Sequence, residues 1–305
     1  MKLFSLTVDF AFKALFAPNP DLLVNLLNSF PSFKGNNRIV SLKVLNPEIP
    51  KELSDEKLSI LDIKAENENG EQFLIEMQAF PQSSFTKRAL YYWSKVYSKG
   101  LRKGQDYEEL KKVYSINFVK HSIWKDHPEY LSTFRILENT RNFPLTEDLE
   151  IHNVELEKFL ESFESLETDL ESWIYLLKES QNLKGESMKT LEKKSPEIKK
   201  AISELKNISR SPKSRELYEA RRKAELDYNS GMKGAFRQGK EEGLEEGLLL
   251  GIRMNLKSRF NLREDDPILK EIHRIKDLDR LTKILTQSVQ AKTLEEFKKF
   301  IKSIK

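Results

Sequence analysis

Apolar and polar residues alternate in two short segments of the first third of the chain, 61–65 and 73–78, and Asn69-Gly70 lies between them. Alternation with a period of two predicts strands, and an Asn-Gly pair between two such segments predicts a tight β-hairpin. Glu76 and Gln78 are two residues apart on the second strand, so their side chains leave the same face. The pattern therefore predicts a hairpin that presents polar side chains together.

Other segments around this hairpin show the spacing of helices or strands. Ala89, Trp93 and Val96 form one apolar face, which predicts a helix that packs on a sheet. The predicted helices are 4–16, 22–30 and 81–102, and the remaining predicted strands are 39–45, 113–119, 130–143 and 149–159. The strands 130–143 and 149–159 are expected to pair antiparallel. A loop with Pro47 and Pro50 is expected before the hairpin.

From residue 166 onward the sequence becomes helical and strongly charged. Ser195-Pro196-Glu197 is typical of a helix start, because it combines a cap, a proline at the first helical position and an acid in the first turn. Similar signals recur in the tail. We therefore expect a helical accessory region at 166–230, a glycine-rich helical linker at 231–252 and a small helical unit at 253–305.

Six of the eleven glycines lie between Gly231 and Gly251, and those from Gly239 onward are spaced by four. Small residues at this spacing let two helices approach closely, as in many membrane helix pairs. The charged residues between them, such as Lys240 and Glu241, exclude a membrane segment here. Two interpretations stay open: a homodimer contact through the C-terminal helices, or a weak and flexible linker, because each glycine costs a helix about 1 kcal/mol relative to alanine.

Composition narrows the classes of chemistry. The chain has 305 residues, 33% of them charged, and a net charge of +4, which permits binding to nucleic acid without requiring it. It has no cysteine, and its four histidines show no metal-ligand spacing, so any metal would be held by oxygen atoms, the ligands that Mg²⁺ and Mn²⁺ prefer. No segment has the length of a membrane span or the pattern of a signal peptide, so we expect a soluble, cytoplasmic protein.

The predicted hairpin offers groups suited to phosphodiester chemistry. Asp62 and Glu76, on adjacent strands, could hold a divalent ion, which lowers the pKa of bound water and neutralises charge on a phosphoryl group. Gln78 could orient the attacking water or the phosphate. Asp62 lies among apolar residues, where an unpaired carboxylate is costly. Taken alone the pattern is weak, because acids on a solvated strand face give the same sequence.

Two further groups of residues bear on this site. Asp9 is either a candidate catalytic acid or a helix cap, and Lys13, one turn later, is either its ion-pair partner or a phosphate contact. The third predicted helix carries a stripe of basic residues with one aromatic residue along one side. A DNA backbone could lie along this stripe, although such stripes are most often solvated surfaces. The stripe consists of Arg88, Tyr92, Lys95, Lys99 and Arg102.

Several ordered blocks of the sequence resemble the PD-(D/E)xK nuclease-like transposases, also called recombination-promoting nucleases. They cover about residues 5–160, and the glycine-rich segment and the tail are also similar to that family's C-terminal end. Ordered blocks at matching spacing are much more specific than any single motif. The blocks are Asp9 to Phe16, Leu61 to Ala65 with Gly70, Ile75 to Gln78, Arg88 to Ser98, Gly104 to Tyr107 and Leu149 to Phe159.

The resemblance implies an α/β fold. Residues 1–165 would form a restriction-endonuclease-like core with a mixed central sheet flanked by helices, followed by an α-helical C-terminal region. Asp62 and Glu76 would bind Mg²⁺ or Mn²⁺, with the carbonyl of Met77 as a third ligand. Asp9 and Lys13 match the opening block, so we expect them near the site.

Gln78 departs from the motif of the wider superfamily, which has a catalytic lysine at this position. ExQ is nevertheless similar to what this particular family carries. Glutamine donates hydrogen bonds to a phosphate or a water but brings no positive charge, so a metal must neutralise more of the transition state. The activity of the predicted site therefore depends on whether glutamine can replace the lysine at position 78.

Two functions from different classes follow. The first is a Mg²⁺-dependent endodeoxyribonuclease, a transposase-like hydrolase that cuts DNA, promotes recombination and binds DNA through Arg88, Lys95, Lys99 and Arg102. The second is a catalytically inactive nuclease-fold protein that binds DNA or a partner in a mobile-element or defence system. The small net charge and the missing lysine favour the second, whereas the complete set of acids favours the first.

Overall fold

The computed structural model describes residues 2–45, 48–49, 59–60, 62–81 and 84–304, and side chains are described for all of these except 48–49 and 59–60. Pro47, Pro50 and Leu61 lie outside the described residues, as do Gln82 and Ser83 at the predicted start of the third helix. The predicted loop before the hairpin therefore stays a prediction.

Ten α-helices and eight strands lie in the described part of the chain. The helices are α1 (Asp9–Phe16), α2 (Pro20–Asn28), α3 (Phe85–Ser98), α4 (Asp169–Glu179), α5 (Gly185–Glu192), α6 (Pro196–Arg210), α7 (Pro212–Phe260), α8 (Pro267–His273), α9 (Leu278–Gln290) and α10 (Leu294–Ser303). The strands are β1 (Leu42–Leu45), β2 (Glu48–Ile49), β3 (Ser59–Ile60), β4 (Ile63–Asn67), β5 (Gln72–Gln78), β6 (Val113–Val119), β7 (Leu131–Phe134) and β8 (Leu149–Glu155).

Six strands form one mixed sheet in the order β1-β4-β5-β6-β8-β7, and β2 pairs with β3 separately. The β5–β6 and β6–β8 pairs are parallel, and the other neighbours in the six-stranded sheet are antiparallel. The β4–β5 hairpin turns at Gly70, whose φ of 80° is in the left-handed region that glycine adopts without a steric penalty. The predicted mixed α/β sheet flanked by helices is confirmed.

Helices cover both faces of this sheet. Phe73, Ile75 and Met77 of β5 point into the main core, which also contains residues of α1, α2, α4 and α6. Leu74 points to the opposite face, where it packs in a second cluster with Trp93 and Val96 of α3. Alternate residues of β5 therefore face different helical layers, and Glu76 and Gln78 lie on the α3 side.

The first predicted helix begins later than expected, at Asp9. The backbone N–H groups of Phe4, Ser5 and Leu6 instead donate to side-chain oxygens far along the chain, at distances of 2.9–3.0 Å. These bonds hold the segment extended, because each amide takes an acceptor outside a helical turn. The acceptors are the hydroxyls of Ser209, Tyr218 and Ser180, respectively.

The predicted strand at 130–143 is much shorter in the structure and spans Leu131–Phe134. Further along, the Glu138 carboxylate accepts the N–H groups of Thr140 and Arg141 and closes a turn inside the predicted strand. The antiparallel pairing of this strand with β8 is confirmed. The third helix ends at Ser98 and not near residue 102.

The chain divides into two compact units, 1–224 and 225–305. The glycine-rich segment is part of α7, a continuous helix of 49 residues. In the second unit Ile252 and Leu256 of α7 join a small core with residues of α8, α9 and α10. No helix within the described residues is long and apolar enough to cross a membrane.

Candidate active site

The β4–β5 hairpin brings Asp62 next to the strand that carries Glu76. Ile63 pairs with Ile75 in the antiparallel register, so Asp62, one residue before Ile63, lies beside β5. The backbone N–H of Met77 donates to Asp62 Oδ2 at 2.7 Å. This bond fixes the carboxylate at the open end of the hairpin.

Asp62 forms an ion pair with Lys13 of α1, with 3.0 Å between Lys13 Nζ and Asp62 Oδ1. Burial raises the pKa of Asp62, and the charge of Asp9 adds to that rise. The charge of Lys13 and the Met77 N–H act in the opposite direction but do not cancel it. The surroundings of this carboxylate thus hold too little positive charge to offset its burial.

Glu76 is only 9% exposed, and its Oε2 lies 3.2 Å from Arg88 Nη2 of α3. Burial, and to a smaller extent the charge of Asp62, raise the pKa of Glu76 to about 7, although Arg88 opposes the shift. A partly buried and a buried carboxylate that repel each other, with few cations beside them, are typical of a site that binds a cation or moves a proton.

Gln78 lies on the same face and shares Arg88 with Glu76. Arg88 Nη2 donates to Gln78 Oε1, and Gln78 Nε2 donates to the carbonyl of Phe80 at 2.7 Å. Both polar atoms of the amide are therefore engaged within the protein. Gln78 holds Arg88 in place, and Arg88 in turn contacts Glu76.

Asp9 and Lys13 differ in their relation to the site. Lys13 contacts Asp62 directly, whereas Asp9 accepts a hydrogen bond from the N–H of Phe10 at 2.7 Å and acts on Asp62 through its charge. The residue before α1 is Val8, and no side chain caps the helix. Asp9 therefore lies in the first turn and does not serve as the helix cap.

The predicted basic stripe of α3 does not form one uniform surface. Arg88 points to Glu76, and Lys95 is only 8% exposed, with its Nζ 5.6 Å from the ring of Tyr91. Lys99 follows the last residue of α3, and Arg102 lies in the exposed segment beyond it. At the candidate site, the stripe contributes Arg88, which contacts Glu76.

The donor set fits a hard divalent ion. Asp62 and Glu76 supply carboxylate oxygens, and their raised pKa values show that added positive charge would stabilise both ionised forms. No group of three histidine or acidic side chains arranged for a metal occurs in the described part of the chain, so further ligands would come from backbone oxygens, water or substrate. The ion would compete with Lys13 and Arg88 for these carboxylates.

The sequence pattern did not identify two contacts of this site. One is the Arg88–Glu76 ion pair, since Arg88 was grouped with the DNA-binding stripe, and the other is the Met77 N–H bond to Asp62. The Met77–Asp62 contact could have been predicted from the register of the hairpin, which places Asp62 beside β5. The first depends on how α3 lies on the sheet, which helical periodicity does not specify.

A family model described as PD-(D/E)XK nuclease family transposase matches residues 6–235, which include the hairpin, α1 and α3. No curated protein and no solved structure matches the chain. The family match covers most of the chain, and it includes every residue of the site described above.

Proposed function

Because the chain belongs to the PD-(D/E)XK nuclease family transposases, we propose that it is a metal-dependent DNA endonuclease whose cuts promote recombination. The observation that supports this most is the pair formed by partly buried Asp62, just before β4, and buried Glu76 on β5, because the pKa of each is raised. An acid in such surroundings is unfavourable for the fold alone, so its presence in a nuclease family favours a chemical role.

In this proposal each residue of the site has a separate role. Asp62 and Glu76 hold Mg²⁺ or Mn²⁺, which supplies an activated water and neutralises charge on the phosphate when bound. Lys13, displaced from Asp62, contacts the phosphate. Arg88 stays anchored by Gln78 and supplies the positive charge that the superfamily lysine would supply, so Gln78 acts as a positioning residue.

A plasmid assay tests this proposal. Purified full-length protein is incubated with supercoiled DNA in Mg²⁺, in Mn²⁺ and in EDTA, and nicked product is measured. Glu76→Gln should reduce the rate by more than about 100-fold, since it removes one charged ligand. Glu66→Gln on the same hairpin is the matched control, because Glu66 bonds to Gln72 and not to the site. No metal-dependent nicking by the wild type, or an unchanged rate in Glu76→Gln, contradicts the proposal.

A second candidate function is supported by the ion pairs themselves. Asp62 pairs with Lys13 and Glu76 pairs with Arg88, so each acid already has a cation without a metal. A nuclease fold that binds DNA without cutting it would have such pairs. This candidate predicts DNA binding in EDTA that is not altered by Mn²⁺, together with no nicking under any metal.

The DNA backbone is proposed to approach along the outer part of the stripe, at Lys99 and Arg102, because Arg88 is held by Glu76 and Gln78 and Lys95 is only 8% exposed. Arg102 is exposed beyond the helix end, so it is the clearest test. Arg102→Ala should weaken binding to all sequences and reduce the salt dependence of the affinity by about one ion. An unchanged salt slope would remove Arg102 from the proposed surface.

A homodimer through α7 is proposed as well. Gly239, Gly243 and Gly247 have open space where a Cβ would lie, so packing within the described residues does not require glycine there. Two large apolar side chains on this helix, Phe236 and Leu250, are 76% and 48% exposed. A close helix contact with a second copy accounts for both features.

The chain positions favour an antiparallel arrangement of these two helices about Gly243. Phe236 and Leu250 lie equally far from Gly243 along the chain, and so do Lys240 and Glu246. An antiparallel pair centred on Gly243 therefore places apolar residues opposite apolar ones and a lysine opposite a glutamate. Light scattering should give a dimer mass for the wild type and a monomer mass for Gly243→Glu. A monomeric wild type contradicts this arrangement.

A further inference from the structure

A cleft opens next to the candidate active site, between the segments that follow β5 and β6. Its volume is about 360 Å³, within the roughly 300–1,000 Å³ of small-molecule sites. Its walls carry two aromatic rings, aliphatic groups and a few polar atoms. The lining residues are Pro81, Phe85, Thr86, His121, Ser122, Ile123 and Trp124.

Two contacts join the cleft to the proposed catalytic groups. Phe85, in the wall of the cleft, lies under the guanidinium of Arg88 at 5.7 Å, and Arg88 contacts Glu76. The backbone N–H of Lys120 donates to the carbonyl of Gln78 at 3.0 Å, so the segment with His121 begins beside Gln78. The cleft therefore lies beside Arg88 and Gln78, so a nucleotide whose phosphate is bound near Arg88 could place its base there.

Buried side chains hold the far wall of the cleft in place. Glu155, which is fully buried, accepts the N–H groups of Ile123 and Trp124, and Lys158 bonds to both Glu155 and the Trp124 carbonyl. The ring of Trp124 packs on that of Phe134 with centroids 5.0 Å apart. The wall is thus formed before any ligand binds, which lowers the entropic cost of binding.

His121, which lines the cleft, has one ring nitrogen without a hydrogen-bond partner among the described residues. This nitrogen, Nδ1, is buried. A buried polar atom without a partner is unfavourable unless a ligand or a water satisfies it. Burial lowers the pKa of His121, although Glu157 and Glu155 oppose this, so the neutral ring is favoured. A neutral imidazole can pair with either a donor or an acceptor of a ligand.

We infer that this cleft binds one nucleobase of the DNA, taken out of its stack and inserted between the aromatic walls. The inference rests on the proposed function, because the base belongs to a nucleotide whose neighbouring phosphate lies at Asp62 and Glu76. Flat apolar walls with an aromatic ring suit the π-face of any base, and one polar group suits its edge. The preferred substrate is therefore single-stranded or distorted DNA.

Binding in EDTA tests the inference without catalysis. The probes are a short single-stranded oligodeoxynucleotide and an abasic strand with the same number of phosphates. Wild-type protein should bind the base-containing strand about tenfold more tightly. Trp124→Ala should abolish that preference, while Tyr107→Ala, an aromatic residue 81% exposed outside the cleft, should keep it. Equal affinity for the two strands, or a preference that survives in Trp124→Ala, overturns the inference.

A second variant keeps the inference testable if Trp124→Ala does not fold. Thr86 is exposed on the first turn of α3 and lines the cleft, so Thr86→Trp fills the space without changing the core. It should abolish the preference for bases while the melting temperature stays within a few degrees of the wild type. Retained preference in a folded Thr86→Trp variant also overturns the inference.

Tryptophan fluorescence gives an independent readout. Trp93 and Trp173 are 8% and 0% exposed, whereas Trp124 is half-buried, so a base stacked in the cleft should quench mainly Trp124. Quenching by the base-containing strand and not by the abasic strand supports the inference even when no plasmid is nicked. Nicking without base-dependent binding supports the nuclease and rejects the cleft.

Discussion

Two buried carboxylates lie on opposite faces of the same sheet, and their surroundings have opposite effects on them. Glu76 faces α3 with one guanidinium 3.2 Å away, and its pKa is raised to about 7. Glu150 faces the main core, where His152, Lys112 and Arg135 approach its oxygens at 2.9–3.2 Å.

The pKa of Glu150 moves in the other direction. Burial alone would raise the pKa, but the neighbouring side chains of His152, Ser32 and Lys112 hold it well below its ordinary value. Glu150 is therefore supplied with more positive charge than it needs, and Glu76 with less. Glu150 therefore stabilises the fold, whereas the surroundings of Glu76 leave its burial uncompensated, which is consistent with the proposed role in binding a metal ion.

The largest predicted effect comes from a substitution that disrupts the Glu150 cluster, which consists of Glu150, Lys112, Arg135 and His152. Glu150→Ala should lower the free energy of unfolding by about 3–5 kcal/mol, because it leaves partly buried cations without their counterion. Urea denaturation measures the loss. The control is Glu219→Ala, which removes an exposed carboxylate 3.8 Å from Arg222 and should cost no more than about 1 kcal/mol. A cost for Glu150→Ala as small as that of the control would contradict the comparison.

The contribution of Glu150 also has a defined pH dependence. Because its folded-state pKa is lowered, its stabilisation is fully present above the unfolded value near 4.5 and is lost as the pH falls through the folded value. The stability difference between wild type and Glu150→Gln should therefore shrink only below about pH 4.5.

The next effect concerns the opposite face, where under the proposed function a divalent ion would supply the missing positive charge. At a Mn²⁺ concentration about 100 times Kd the folded protein should gain about 2.7 kcal/mol, which raises the melting temperature by roughly 5–10 °C. Asp62→Ala should abolish the shift. Glu71→Ala, elsewhere on the hairpin loop, should keep it. A shift of equal size in Asp62→Ala would show that Mn²⁺ binds somewhere else.

Removing the negative charge of Glu76 should stabilise the metal-free protein. The rise in the pKa of Glu76 from 4.5 to about 7 corresponds to an upper limit of about 3 kcal/mol, so Glu76→Gln should gain about 1–3 kcal/mol at pH 8. The folded state keeps its proton between pH 4.5 and 7 while the unfolded chain loses it. The gain should therefore grow over that window and vanish near pH 4. A variant less stable than wild type at pH 8 would show that the Arg88 pair outweighs burial.

The smallest effect lies at the edge of the Glu150 cluster. Thr133 Oγ1 is 3.0 Å from His152 Nδ1, and Thr133 is exposed on the edge strand β7. Thr133→Val should lower the free energy of unfolding by about 1 kcal/mol, the contribution of one hydrogen bond. Unchanged stability in urea denaturation would show that water replaces the hydroxyl.

The sequence alone was sufficient to predict the hairpin and β6, because alternation with a period of two and a glycine turn are local patterns. It also indicated which face of α3 packs on the sheet. It did not predict that Lys95 is buried or that Arg88 pairs with Glu76, since both depend on the position of α3 over the sheet. Periodicity assigns a residue to a face of its own helix, but the partner on that face is set by tertiary packing.

The extended N-terminal segment shows the same limit. Phe4 and Leu6 lie in the segment 4–16 that was predicted to be helical, yet their amides bond to Ser209 and Ser180. No local pattern contains such information. The Glu150 cluster was missed for a related reason, because Lys112, Arg135 and His152 meet only when β6, β7 and β8 align.

Those N-terminal hydrogen bonds also set an order of events during synthesis. Ser5 bonds to the hydroxyl of Tyr218, and the ring of Phe4 stacks on that of Tyr218 with centroids 4.1 Å apart. At roughly 5–20 residues per second, a ribosome needs about 10–40 s to reach that tyrosine after it has made α1. The segment before α1, the helix that carries Lys13, therefore acquires these partners late, and a nascent chain that stops before the accessory helices lacks them.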